Sequence, residues 1–140
     1  MNAVGAFKIA LAEALKSDAG VSALVAHRVF DILPRESLKA ATNVASPWIY
    51  VGPINATRQD EGACGVGWTV RIRIYAASIE AGRDEAWTVI SAAAAALEGA
   101  TLTLSAGAHA PQILVMQAGD IVDPVEPTLT FIDVTTVVHD

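Results

Sequence analysis

Hydrophobic residues recur every three or four positions at the start of the chain, which is the period of a helix with one buried face. This spacing predicts an amphipathic helix over residues 2–16. Its apolar face consists of Val4, Phe7, Leu11, Ala14 and Leu15. A second, shorter helix is predicted over residues 19–27, with Asp18 as its N-cap, because a carboxylate accepts hydrogen bonds from the unpaired N–H groups of a first turn.

A period of two replaces the helical period in the middle of the chain. Residues 68–76 alternate apolar and polar side chains, which predicts a strand with one buried face. The apolar positions are Trp68, Val70, Ile72 and Ile74. The opposite face of this strand is predicted to carry Arg71, Arg73 and Tyr75.

Shorter apolar runs predict further strands, each bounded by residues that favour turns. They cover residues 29–33, 47–51, 101–104, 113–122 and 128–139. Gly52 and Pro53 are expected to end the second of these strands. Residues 35–46 are expected to form a loop and residues 123–127 an acidic turn, whereas residues 55–67 predict a long, polar hairpin connection.

A long helix is predicted over residues 79–98. Ser78 is its expected N-cap, and Asp84 and Glu85 lie near the positive end of the helix dipole. The buried stripe of this helix is Ala86, Ile90, Ala93 and Leu97. Gly99 is expected to end it, because glycine tolerates the left-handed backbone found just after many helices.

The helices and strands do not alternate regularly, which disfavours a parallel, doubly wound sheet. We therefore predict an α+β fold, in which a mainly antiparallel sheet carries an N-terminal pair of helices and one long central helix. With 140 residues and neither a repeat nor a linker, the chain is expected to form a single domain over residues 1–140.

Composition and charge narrow the choice of partners. The net charge of −6 disfavours a protein that binds nucleic acid through its phosphates. Hydrophobic residues make up 53% of the chain and charged residues only 17%, which favours burial of surface between subunits. No signal peptide or membrane-spanning run is recognised, so we expect a soluble protein without a membrane partner.

Residues that carry chemistry are sparse. His27, His109 and His139 lie in separate contexts and lack the spacing of metal ligands. Cys64 has no neighbouring groups that reliably lower the pKa of a thiol. A cluster of carboxylates near the last turn (Asp120, Asp123 and Glu126) could bind a cation. Turn formation explains Asp123 equally well, and Pro124 and Pro127 make the segment too rigid for a set of ligands. The sequence therefore predicts a protein that is not an enzyme and has no catalytic residues, metal site or cofactor.

Arg71 and Arg73 admit two interpretations. An ordinary solvent-exposed sheet face explains them, and so does an interface stripe, since arginine and tyrosine are enriched where proteins meet. The residues considered as interface candidates are Arg58, Asp60, Glu61, Arg71, Arg73 and Tyr75.

The order of these elements resembles the tail-completion (tail terminator) proteins of tailed phages and gene-transfer agents. The resemblance rests on two successive helices, a strand led by proline, an alternating strand that runs into an alanine-rich helix, and an acidic turn before a terminal strand. These features lie at residues 7–18, 21–29, 46–52, 70–76, 82–86, 123–127 and 138–139.

The resemblance implies a homo-oligomeric ring, commonly a hexamer, at the head-proximal end of the tail tube. Such a ring stops tube growth and joins the tube to the neck, so the implied partners are the tail tube protein and a neck or head-completion protein. DNA would pass through the lumen without specific binding. The implied location is the head–tail junction of the virion, with the host cytoplasm as the place of assembly. Residues 55–67 would then be a candidate arm reaching the tube or a neighbour.

Two alternative functions remain open at this stage. Within the same particle, the chain could be another neck or head–tail connector component, or a subunit of the tail tube. From a different class, it could be a small ligand-binding accessory domain, which a well-formed pocket lined by polar groups would favour.

Overall fold

One face of a five-stranded sheet is covered by helices. The computed structural model describes residues 2–31, 46–60, 65–80, 82–104, 109–110, 112–121 and 128–139. Its helices are α1 (Asn2–Ser17), α2 (Ala19–Val25) and α3 (Asp84–Leu97). Its strands are β1 (Val29–Phe30), β2 (Trp48–Asp60), β3 (Val66–Ser78), β4 (Leu102–Thr103), β5 (His109–Ala110), β6 (Leu114–Ile121) and β7 (Thr128–His139).

The sheet is antiparallel apart from its first, two-residue strand. The strand order is β1-β2-β3-β7-β6, with β4 and β5 forming a separate small ladder. β1 pairs in parallel with β2, and every other pair in the sheet is antiparallel. This arrangement confirms the predicted α+β class with a mainly antiparallel sheet.

The core lies between the helices and the alternate residues of the central strands. Phe7, Leu11 and Leu15 of α1 are almost fully buried, as the helical period predicted. In α3 the predicted stripe is buried as well, and its alanines let the helix lie close to the sheet. The strand residues that complete the core are Val70, Ile72, Ile74, Ile132, Val134 and Val138.

The helix boundaries confirm some of the predictions and correct others. The Asp18 carboxylate accepts a 3.0 Å hydrogen bond from the Val21 N–H, so it caps α2 as expected. That helix ends at Val25, not at residue 27. Gly99 follows α3 with a φ of +73°, in the left-handed region that glycine adopts readily.

The predicted start of α3 was wrong. The helix begins at Asp84, and Ser78 is the last residue of β3, not the N-cap. The Ser78 hydroxyl donates a 2.7 Å hydrogen bond to the Glu85 carboxylate and accepts one of 3.1 Å from the Glu80 N–H. Serine therefore ties the connection to the first turn of α3 from outside the helix.

The hairpin connection predicted over residues 55–67 was wrong for residues 55–60 and 66–67, which are strand, and residues 61–64 lie outside the described residues. β2 continues past Gly52 and Pro53 to Asp60, and its second half pairs with β3 from Val66 onward. A register shift between Val51 and Ile54 places one extra residue on β2, a bulge that accommodates a proline without an N–H to donate. The described part of the hairpin is therefore paired strand as far as Asp60 opposite Val66.

The remaining strand boundaries differ by a few residues. β1 and β4 contain two residues each, and β5 was not predicted. β6 and β7 follow the predicted strands closely. Several predictions fall outside the described residues: the loop over residues 35–45, the end of the first strand at residues 32–33, and the turn at residues 123–127.

Candidate assembly surface

The side of the sheet that faces away from the helices is a candidate surface for assembly. We call it the open face, since no helix of the described residues covers it. It is formed by Tyr50, Asn55, Arg71, Arg73, Tyr75, Gln117, Phe131, Asp133 and Thr135, which are half-buried or exposed. Trp48 and Ala77 continue the same side of the sheet beyond Tyr50 and are buried.

An aromatic row crosses the open face at one level of the register. Tyr50 pairs with Tyr75, and Tyr75 pairs with Phe131. The two tyrosine rings stack with centroids 4.6 Å apart, and the Tyr75 and Phe131 rings are tilted at 6.4 Å. Burial, helped by the neighbouring Tyr75, raises the pKa of Tyr50 to about 12. The rings therefore support one another across three strands.

Two glycines make room for this row. A Cβ on Gly52 would lie 2.6 Å from the Tyr75 ring and 2.9 Å from the Arg73 carbonyl oxygen. A Cβ on Gly119 would lie 2.8 Å from the tip of the Phe131 ring. Each aromatic ring therefore lies against a neighbouring strand at a position where a side chain would collide with it.

A bidentate ion pair forms the next level of the open face. Arg73 Nε and Nη2 donate hydrogen bonds of 2.7 and 2.8 Å to the two oxygens of Asp133, and the guanidinium lies 4.0 Å from the centre of the Phe131 ring. Gln117 also donates to Asp133. The hydrogen bonds from Arg73 lower the pKa of Asp133 below its usual value of 3.8. The pKa of Arg73 is raised by the same interaction.

Arg71 remains as an exposed cation beside this pair. It pairs in register with Asn55 and with Thr135, and no ion pair engages its guanidinium within the described ranges. Together with Met116 and Gln117 it lines a shallow groove of about 370 Å³. Because Arg73 and Asp133 neutralise each other, Arg71 gives this groove a net positive charge.

The open face ends at the exposed edge of β6. This strand is the last in the sheet, and no other strand of the described residues pairs with its far edge. Leu114, Met116 and Ile121 are 46%, 62% and 42% exposed. An apolar edge strand of this kind readily pairs with or packs against another chain.

The structure brings only part of the predicted interface set together. Arg71, Arg73 and Tyr75 share the open face, as the alternation predicted. Arg58 is exposed but pairs with Trp68 on the side of the sheet that the helices cover. Asp60 is the last residue of β2, and Glu61 lies outside the described residues.

Sequence reasoning missed the partners of these residues. Asp133, Phe131 and Tyr50 complete the open face, yet Asp133 is 60 positions from Arg73 along the chain. The alternation within each strand gives the face of every residue but not the register between strands. Gly52 was the available signal, because glycine inside a strand often marks the close approach of another group.

In the part of the chain that the structure describes, no three His, Cys, Asp or Glu side chains are grouped so that they could hold a metal ion. Asp120 accepts hydrogen bonds from Trp87 at 3.1 Å and from Arg83 at 3.2 Å. None of the described helices is long and apolar enough to span a membrane.

Comparison with known proteins decides the family. The family model described as "Tail completion protein gp17" matches residues 9–139, which is most of the chain. The chain belongs to this family. It is therefore a structural protein of the virion tail, and the resemblance inferred from the order of its elements is confirmed.

A solved structure shares the fold. A chain of the structure described as "Virion of native gene transfer agent (GTA) particle" superimposes with a TM-score of 0.84 at 23% sequence identity. The alignment covers 99% of this chain and 98% of the other. The comparison with curated proteins finds no match.

Proposed function

We propose that this chain forms the ring that completes the tail: a homo-oligomer, commonly a hexamer in such assemblies, at the head-proximal end of the tail tube. It ends polymerisation of the tube and offers a surface to the neck. The observation that carries the proposal is the β6 edge, where Leu114, Met116 and Ile121 are exposed next to an open sheet face.

Burial of this edge explains why a ring is favoured over a monomer. An unpaired edge with exposed apolar side chains promotes uncontrolled association. A closed ring covers the edge of every copy and leaves none free, whereas an open chain of copies always leaves one at its end. Ring closure therefore limits the assembly to a defined number of copies, and it explains why apolar residues are exposed on the isolated chain.

The charge of the chain fits a ring around a DNA channel. The net charge is −6, so the ring repels phosphate overall and lets DNA pass through its lumen without specific binding. The tail tube protein and a neck or head-completion protein are the further partners we propose. Arg71, Arg73 and Tyr75 belong to the contact surface in this proposal, because they lie on the open face of β3, which only β7 separates from β6.

Electron microscopy of particles made without the gene tests the function. Overlong tail tubes beside filled, tailless heads are the expected result, since nothing would stop tube growth. Tails of normal length that fail to join heads would instead assign the protein to the neck. Normal particles would refute the proposal.

Complementation of the deletion with two variants tests the role of the edge. Met116→Lys places a charge in the apolar edge, so we expect the ring and the joined particles to be lost. Ile79→Lys makes the same change at a residue that is 51% exposed and lies outside the sheet. It is the matched control and is expected to support normal assembly. Equal behaviour of the two variants would count against the edge as the contact.

A further inference from the structure

A second surface lies on the opposite side of the molecule, between α1 and β4. A shallow groove of about 420 Å³ runs there, and three alanines of α1 (Ala6, Ala10 and Ala14) contribute to its lining together with Leu102. Ile9 is 62% exposed at this groove, although it belongs to a helix whose other large apolar residues are buried. The helix thus presents an apolar face with no cover among the described residues.

Glu13 is the charged residue that lines the α1 groove. Its side chain is 65% exposed, and Lys16 approaches it at 3.6 Å in an exposed pair of the kind that contributes little. Ile9 and Glu13 are one helical turn apart, so they project from the same side of α1. The α1 surface therefore combines a protruding apolar residue, a small-residue groove and a carboxylate.

The groove on the open face has the reciprocal features. Met116 is 62% exposed, and its unbranched side chain adapts to an apolar recess. Arg71 supplies the exposed cation of this groove, where α1 supplies a carboxylate. The two grooves thus differ in the sign of their charge, and each carries one protruding apolar residue.

We infer that α1 of one copy covers the open-face groove and the β6 edge of the next copy. Met116 enters the groove of small residues beside Ile9, and Glu13 pairs with Arg71 across the contact. The two surfaces are different patches on opposite sides of the sheet, which makes the contact head-to-tail, the type from which rings are built. A helix laid over the edge also shields it from incorrect strand pairing.

This inference rests on the proposed ring and names the surfaces that close it. Charge reversal tests it in the purified full-length chain, with the mass of the oligomer as the readout. Arg71→Glu and Glu13→Arg each place like charges across the contact, so each is expected to raise the concentration needed for assembly roughly tenfold or more. The double variant Arg71→Glu/Glu13→Arg restores opposite charges and is expected to assemble as the wild type does.

The matched control pairs Glu13→Arg with Arg58→Glu, a reversal at an exposed arginine on the other side of the sheet. The double variant Glu13→Arg/Arg58→Glu is expected not to restore assembly. Circular dichroism of every variant establishes that the fold is kept. Suppose that the wild type forms a ring. If both single variants then assemble as the wild type does, or if the double variant fails to restore assembly, this contact alone is overturned. If the wild-type chain is monomeric at all concentrations in solution and also in assembling tails, the proposed ring is overturned, and this contact is overturned with it.

Discussion

Single residues of the open face depend on neighbours that are distant in the chain. The Tyr75 ring needs Gly52 beneath it, and the Phe131 ring needs Gly119. The two glycines differ in what surrounds them. At Gly52 the backbone carbonyl of Arg73 is also close, whereas at Gly119 only the tip of an aromatic ring is. A ring can shift by a few tenths of an ångström more easily than a strand backbone can.

Substitution of these glycines is therefore expected to have unequal effects. Gly52→Ala should lower the free energy of unfolding by about 1–3 kcal/mol, and Gly119→Ala by less. Gly5→Ala is the control, since the added Cβ would have no described atom within 4 Å apart from its chain neighbours and the backbone of its own helix. Alanine in a helix should raise stability by about 0.5–1 kcal/mol. Urea denaturation measures all three, and an equal loss at the two strand glycines would contradict the geometry.

The ion pair of Arg73 and Asp133 makes stability depend on pH. The folded pKa of Asp133 is lowered below 3.8, so its contribution is complete above the unfolded pKa and is lost as the pH falls through the lower, folded pKa. Asp133→Asn should be less stable than the wild type at neutral pH, with the difference shrinking as the pH falls below 3.8. Thermal melts across this range measure the difference; a gap that persists at acidic pH would refute the assignment.

At the scale of elements, short helices depend on their caps and on packing. α2 has seven residues, too few for an isolated helix to be stable in water. Val21 and Val25 anchor it in the core, and the Asp18 carboxylate satisfies one of its free N–H groups. α3 is longer and lacks a side-chain cap, so the burial of its alanine-rich stripe holds it in place.

Loss of the α2 cap is expected to be measurable. Asp18→Ala should lower the free energy of unfolding by about 1 kcal/mol, because the Val21 N–H loses its acceptor. Asp31→Ala removes an exposed ion pair with Lys8 at 2.7 Å and should change stability by less. Chemical denaturation compares the free energies of unfolding of the two variants. An Asp18 variant as stable as the Asp31 variant would show that the cap contributes nothing to stability.

At the scale of the whole molecule, the β2–β3 hairpin is part of the sheet rather than an appended arm. β7 pairs with β3 along its whole length, from Gly67 opposite His139 to Ser78 opposite Thr128. Val70 is fully buried, and Ala56 and Trp68 pack against the core. The end of the hairpin therefore contributes to stability as well as presenting exposed side chains.

Deletion of residues 56–65 is accordingly expected to prevent folding, since it removes the strand that pairs with the start of β3. Thr57→Ala and Gln59→Ala, at exposed positions of the same strand, should change stability by no more than about 0.5 kcal/mol. Circular dichroism melts distinguish these outcomes. A deleted chain that still melts cooperatively near the wild-type temperature would mean that the hairpin end is dispensable to the fold.

Features that follow from local periodicity can be predicted from the sequence. The buried faces of α1 and α3, and the assignment of Arg71, Arg73 and Tyr75 to one face of β3, each depend on residues close together in the chain. Their spacing carries the information, because a helix repeats every 3.6 residues and a strand every two. The α+β class and the family resemblance followed from the order of such segments.

The tertiary structure alone decided which strands meet and in what register. The far half of β2 shows only a weak apolar alternation, because its inward positions after Ile54 are the small Ala56 and the charged Arg58. Its pairing with β3 therefore identifies it as a strand, whereas its sequence pattern does not. Likewise, the ion pair of Arg73 and Asp133 cannot be predicted from either residue, because 60 positions separate them in the chain. Register depends on the bulge at Pro53 and on the fit of the whole core. These are properties of the folded sheet, which no single segment contains.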